Sequence, residues 1–266
     1  MSGEEARMET NFEIRQELTT LSHFLGDPKR DLAILGEGNT SGRVDDNKFL
    51  VKASGQNLET IASSGFCEVC FSKILPYFEE VSIPDNEVKR ILFESKADRN
   101  SPTTPSVETF FHASLLTLPN VNYIGHTHPV SINSILCSRN PSEAISGRTF
   151  PDEVVCCGVA PCFVEYSDPG IVLSKLIRKR VLEFFDYWGE YPKTIYLQNH
   201  GFIALGKSPA DVQSVTMMSD KAARILLGTM SFGGPNFMTQ ESVDRIHNRP
   251  DERYRQAMIN RAKQQE

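Results

Sequence analysis

Only nine residues, NTSGRVDDN at 39–47, lie between the run DLAILGEG at 31–38 and the run KFLVKASG at 48–55. A crossover between parallel strands needs about a dozen residues or more. Two extended runs joined this closely are therefore predicted to be antiparallel, as a hairpin or meander. Asn, Gly and Asp in the link supply the conformations that turns demand. KTIYLQNHGFIALG at 193–206 repeats the pattern, with two short β runs flanking Asn199-His200-Gly201. FCEVCFSKIL adds a strand, and VVCCGVAPCFVEY one or two more.

Helices precede, separate and follow these strands. In NFEIRQELTTLSHFL, Ile14, Leu18, Leu21 and Leu25 recur at helical spacing, and Gly26 and Pro28 supply a stop. Helices are also predicted over PDNEVKRILFESKA, with Asp85 or Asn86 as cap, and over SVETFFHASLLTL, with Ser106 as cap. Pro129 fits the first position of a short helix. DPGIVLSKLIRKRVLEFFDYW reads as a long helix, and SPADVQSVTMMSDKAARILLG as one capped by Ser208, opened by Pro209 and closed by Gly228. The expected class is α/β, with a largely antiparallel sheet covered by helices. At 266 residues and 39% hydrophobic content, one domain over 1–266 is expected, with a charged, helix-biased tail from about residue 240.

Composition excludes several partners. A formal net charge of -6, with Lys and Arg scattered apart from KLIRKR at 175–180, leaves no basic footprint for nucleic acid or an anionic membrane. No apolar run approaches the roughly 18 residues of a membrane span, and the N-terminus lacks signal-peptide order. A cytoplasmic protein is expected, and with it reduced thiols. Cys67 and Cys70 form a CxxC, but in a strand they face opposite ways, and no second CxxC exists to complete a zinc ribbon. All six cysteines are read as buried or semi-buried small residues.

The chemistry points to histidine. If 121–128 is extended, His126 and His128 share a face, as residues i and i+2 of a strand do. That is the start of a metal site or two unrelated histidines on a pleated edge. His200, at a turn between apolar runs, supplies a third imidazole. Three imidazoles with one exchangeable position form a catalytic zinc arrangement, whereas a structural site is normally closed by four ligands. His23, His112 and His247 read as solvated or satisfied histidines. Glu108 stands in the first turn of its helix, where the macrodipole alone favours a carboxylate, yet a base near the metal is the functional alternative. GEGNTSGR at 36–43 is followed by a strand, so it fails as a dinucleotide fingerprint, and no GK[ST] completes a P-loop. It is a plain turn or an anion nest, with Asn39, Thr40 and Ser41 as added donors.

Taken in order, Gly-Asn-x-Ser at 38–41, Ser-Gly at 54–55, Pro-Ser-x-Glu at 105–108, His-x-His-Pro at 126–129 and Asn-His-Gly at 199–201 resemble the class II aldolase/adducin family, from about residue 12 to 230. The resemblance implies a three-layer α/β/α fold on a central, mainly antiparallel sheet. It implies that His126, His128 and His200 bind a divalent metal, usually Zn2+, and that Glu108 is the catalytic acid/base, also able to fill the metal's fourth position. Asn39, Ser41, Ser54, Gly55 and Ser106 match positions that hold a substrate phosphate. The implied activity is metal-dependent aldol cleavage of a ketose or ketose 1-phosphate through a metal-stabilised enediolate, in a homotetramer with active sites between subunits. Alternatives in the family are a sugar-phosphate dehydratase or decarboxylase, a 4-epimerase, whose branch usually has aspartate where Glu108 stands, and a non-catalytic adducin-like module, which generally lacks the histidines. Val107 replaces a serine frequent in phosphate-binding aldolases. SEAISGRTFPDEV lacks the tyrosine proton donor of the fuculose phosphate branch, leaving Tyr166 and Tyr254 as substitutes.

Overall fold

The computed structural model describes residues 3–80 and 83–250. In chain order its helices and strands are α1 (Gly3–Leu25), β1 (Asn39–Arg43), β2 (Lys48–Lys52), β3 (Phe66–Cys70), α2 (Asp85–Ser95), α3 (Thr109–Leu115), β4 (Tyr123–Thr127), α4 (Val130–Leu136), α5 (Pro141–Ala144), α6 (Pro151–Cys157), β5 (Cys162–Val164), α7 (Ile171–Trp188), β6 (Thr194–Leu197), β7 (Gly201–Gly206), α8 (Pro209–Thr229) and α9 (Gln240–His247). The sheet order is β3-β2-β1-β4-β7-β6-β5. β1–β2, β2–β3 and β6–β7 pair antiparallel, while β5–β6 is parallel. That parallel pair requires a long crossover, and α7 supplies it. The α/β class with a largely antiparallel sheet is borne out. No helix among the described residues is long and apolar enough to cross a membrane.

Several local expectations need correction. The strand expected in 31–38 is shifted: β1 is Asn39–Arg43, and the turn contracts to the residues around Asp45, whose carboxylate accepts from the Asn47 and Lys48 amides at 2.7 and 2.9 Å. Asp31 and Leu35 hold positive φ of 56° and 53°, and Ile34 and Leu35 are exposed, so the apolar letters there mark a loop. Residues 154–157 are helical. Pro151 at the first turn, Asp152 and Glu153 behind it and Gly158 at φ 81° are the start and stop signals of α6. α3 starts at Thr109, so Ser106 is not its cap. α2 has Pro84 as N-cap without a side-chain bond. Pro129 is the N-cap of α4 rather than its first residue, and α8 runs one residue past Gly228. Cys137 is exposed, contrary to its reading as a packed thiol. The Ser208 capping box is present as expected. Tyr254 and the tail from 251 lie outside the described residues.

Two compact units divide the chain. One holds residues up to Gly125 with Ser167–Lys179, and the other holds His126–Tyr166 with Arg180 onward. In the first, α1 packs on β1, and its Ile14, Leu18, Leu21 and Leu25 are all buried. Thr40, in the middle of β1, meets Ser22 of α1 through their hydroxyls at 2.7 Å. A strand this polar survives burial because its side chains find partners.

In the second unit, α8 packs on β7 and is flanked by α4 and α6. Beneath α6, the Arg148 guanidinium is 1% exposed. It donates to Glu153 at 3.1 Å, to the Gly158 carbonyl at 2.9 Å and to the Cys157 carbonyl at 2.7 Å. Glu153 in turn accepts from the Thr149 amide and hydroxyl, each at 2.8 Å. Arg148→Ala leaves the buried Glu153 carboxylate without its counter-charge and takes a donor from both carbonyls, so a loss of about 3–5 kcal/mol is expected in denaturant unfolding. A loss under about 1 kcal/mol would show that the pair contributes no more than a surface contact.

α9 is tied by His247, whose Nε2 lies 3.1 Å from a Glu190 oxygen. That hydrogen bond holds the Glu190 carboxyl below its usual pKa against the opposing effect of burial. A carboxyl depressed in the folded state adds stability above its unfolded pKa and loses it as pH falls through the folded value. Glu190→Gln is therefore expected to cost under about 1 kcal/mol near neutrality, because both groups are partly exposed. The difference from wild type should vanish in acid unfolding below the ordinary carboxylate range, and a difference that grows there would contradict it.

Candidate active site

The second unit gathers three imidazoles. His126 is the penultimate residue of β4, and His128 follows one residue beyond the strand, on the same face. His200 sits in the three-residue link between β6 and β7, where Leu197 pairs with Gly201. Asn199 takes φ 52° in this link, a conformation asparagine tolerates better than most residues. α4 holds the link from outside: Asn133 donates to the His200 carbonyl at 3.1 Å, and the Asn199 amide donates to the Leu136 carbonyl at 3.3 Å.

One nitrogen from each ring lies within 4.8 Å of the others. The Nε2 atoms of His126 and His128 are 3.1 Å apart. Two nitrogens each roughly 2.0–2.1 Å from a tetrahedral zinc would stand about 3.3 Å apart, so the His126–His128 pair fits such an ion and His200 lies close enough to join it. His126 Nδ1 donates to the Phe202 carbonyl at 3.0 Å, which leaves its Nε2 lone pair for coordination. Gly201 makes the approach of β7 possible, because a Cβ there would stand 2.5 Å from His128 Cδ2 and 2.7 Å from the Thr127 carbonyl oxygen.

The other candidates lie in the first unit. Strand alternation puts Asn39 and Ser41 on one face of β1. The Asn39 amide donates to Glu108 Oε2 and accepts, through Oδ1, from His112 Nε2. Ser41 Oγ lies 2.7 Å from His112 Nδ1. Ser54 and Gly55 form an exposed loop after β2, with Gly55 at φ 79° and open space where a side chain would stand. The Ser54 amide donates to the Thr104 carbonyl, and Ala53 bridges Pro105, so this loop runs beside Ser106. The buried Ser106 Oγ has no hydrogen-bond partner among the described residues. Asn39 and Glu108 are thus joined directly and Ser41 reaches them through His112, while Ser54, Gly55 and Ser106 form a neighbouring loop pair.

Two residues in this unit were missed by sequence reasoning. Lys52 is 4% exposed and donates to the Gly36 carbonyl at 2.9 Å and the Gln56 carbonyl at 2.7 Å. Burial pushes its pKa down, while the field of Glu108 opposes the shift. A lysine inside an apolar run, two residues before Ser-Gly, was its available signal. His112 is fully buried and, as expected, satisfied, but its partners are two of the candidate site residues. Two buried thiols are held in the protonated form: burial raises Cys157 to about 11 and Cys162 to about 12.

A metal-competent histidine triad in a chain of this fold defines a recognisable class. The family described as Class II Aldolase and Adducin N-terminal domain matches residues 16–227, and the chain belongs to it. A 3-oxo-tetronate 4-phosphate decarboxylase of Haemophilus influenzae is 24% identical over 224 residues, covering 83% of this chain and 90% of the relative. Among solved structures, the N-terminal class II aldolase domain of a conserved Thermoplasma acidophilum protein superposes with TM-score 0.63 at 24% identity, covering 79% of this chain and 92% of that one. The L-fuculose-1-phosphate aldolase of Thermus thermophilus superposes with TM-score 0.58 at 16% identity, covering 85% and 100%.

Proposed function

We propose that the chain is a metal-dependent carbon–carbon lyase, working as one class II aldolase/adducin-like domain, that cleaves a ketose or ketose 1-phosphate by retro-aldol chemistry. The observation that carries this reading is the cluster of His126, His128 and His200, three imidazole donors and so one fewer than a closed structural site uses. A divalent ion bound there, zinc in the first instance, supplies a Lewis acid that polarises a carbonyl and stabilises the negative charge left when the adjacent carbon–carbon bond breaks. Glu108 delivers a proton to the carbon that loses its bond, and in the synthetic direction removes it. Asn39 holds that carboxylate. Ser54, Gly55 and Ser106 bind the anionic end of the substrate, with Lys52 as a nearby cation, while Ser41 acts by fixing the polar cluster. By the same family reading, the substrate is a small sugar or sugar phosphate, no nucleic acid or membrane takes part, and the protein is a cytoplasmic homotetramer.

The test uses metal-loaded protein and dihydroxyacetone phosphate in heavy water, with NMR following the C3 protons. Stereospecific loss of one proton is the expected result. A second reading, decarboxylation of a 3-oxo acid phosphate, is favoured by the similarity to the Haemophilus influenzae decarboxylase along most of both chains. There the departing carbon leaves as carbon dioxide, and Glu108 protonates the same kind of carbanion. Carbon dioxide release from 3-oxo-tetronate 4-phosphate without deuterium exchange would replace the aldolase reading. Neither activity, with metal bound, would sink both.

A further inference from the structure

We propose that His112 is a positioning residue for Glu108: held as the neutral Nε2–H tautomer, it sets the direction of the Asn39 amide, which in turn fixes the carboxylate. The inference rests on Glu108 being the proton-transfer group proposed above.

An asparagine amide has nearly the same shape with its oxygen and nitrogen exchanged, so packing alone does not decide which end faces Glu108. An ionised carboxylate only accepts, so the end that faces it must be the NH2. The Asn39 Oδ1 then faces His112 Nε2, which must carry a proton. With Nε2 protonated and the ring neutral, Nδ1 is an acceptor, and the Ser41 hydroxyl donates to it across 2.7 Å. The three bonds have one consistent direction, from Ser41 through His112 and Asn39 to Glu108.

The framework around the ring is stiff. His112 is completely buried and lies on α3 four residues beyond Glu108, the N-cap of that helix. Its ring stacks on Phe111 at 4.5 Å between centroids. Asn39 and Ser41 come from β1, which pairs with β2 from Ser41 to Arg43. His112 bonds to Asn39, and Asn39 to Glu108, so the effect of the ring on the carboxylate runs through the Asn39 amide.

Two variants and one spectrum test this. His112→Phe keeps a flat ring against Phe111 and removes both nitrogens, freeing the Asn39 amide to turn. Metal content and KM for dihydroxyacetone phosphate should hold while kcat for deuterium exchange falls roughly a hundredfold, the loss typical of a misplaced catalytic group. His112→Gln places an amide N–H near the position of Nε2–H and should recover most of kcat. Long-range nitrogen–proton NMR of wild type should show His112 as neutral and Nε2-protonated. Glu108→Ala should perturb its ring nitrogens by releasing the Asn39 amide.

An unchanged kcat in His112→Phe, a folded His112→Gln as slow as His112→Phe, or an Nδ1–H or doubly protonated ring in wild type would each overturn the proposal. If His112→Phe does not fold, the glutamine variant and the spectra decide. If wild type exchanges no deuterium, the aldolase reading fails on its own. The spectra then decide whether His112 orients Asn39, and ring nitrogens indifferent to Glu108→Ala would overturn it.

Discussion

Glu108→Gln is expected to retain bound metal and lose deuterium exchange by roughly 10³-fold, within the range that removal of a general acid–base group produces. The substitution preserves shape. Asn39 presents its NH2 to Glu108 Oε2, so it selects the oxygen of the new amide and turns the new NH2 to the position of the other carboxylate oxygen. An amide nitrogen there takes up no proton at neutral pH. All three imidazoles are intact in the variant, and metal analysis should find the same content as in wild type. Exchange at the wild-type rate would remove Glu108 from the mechanism. Loss of metal together with activity would make Glu108 a ligand first and a base second.

Gly201→Ala is expected to lower metal affinity by at least about a hundredfold, beyond the 10–100-fold that loss of a supporting contact costs, with activity lost in parallel. The cause is space and not conformation, since this glycine does not hold a positive φ. The added methyl would press at 2.5 Å on the His128 ring and at 2.7 Å on the Thr127 carbonyl, with His126 Cε1 at 3.1 Å. The Thr127 carbonyl belongs to β4 and cannot swing aside as a side chain does, so β7 or the two histidines must move. Chelator competition measures the affinity, and far-ultraviolet circular dichroism checks the fold. Gly228→Ala is the control: it lies on α8 with nothing within 4 Å, and should be neutral or stabilising by up to about 1 kcal/mol. Wild-type affinity in Gly201→Ala would show that the histidines tolerate a displaced β7.

Periodic elements were legible one residue at a time. α1, α7 and α8 follow from apolar spacing and caps, and the β6–β7 link from its length. The candidate metal-binding pair His126 and His128 was visible because imidazoles at i and i+2 of a strand need no tertiary information to share a face. β1 was misplaced because it carries Asn-Thr-Ser-Gly-Arg, a composition that reads as a turn. It is a strand because Ser22 satisfies Thr40, and His112, 71 and 73 positions away, satisfies Ser41 and Asn39. α6 was read as extended because its β-branched and cysteine residues outweighed the proline and acids at its start.

The order of motifs and the shared face of His126 and His128 were determined by the sequence alone, since each depends on neighbours a few residues apart, whereas His200, far along the chain, joins them only in the fold. Only the tertiary structure decided that His112 is a partner of Asn39 and Ser41, that Lys52 is buried, and that Gly201 must stay bare. Each of these is a contact between residues distant along the chain, and burial turns an unmatched polar atom or an extra methyl into a cost that local sequence does not record.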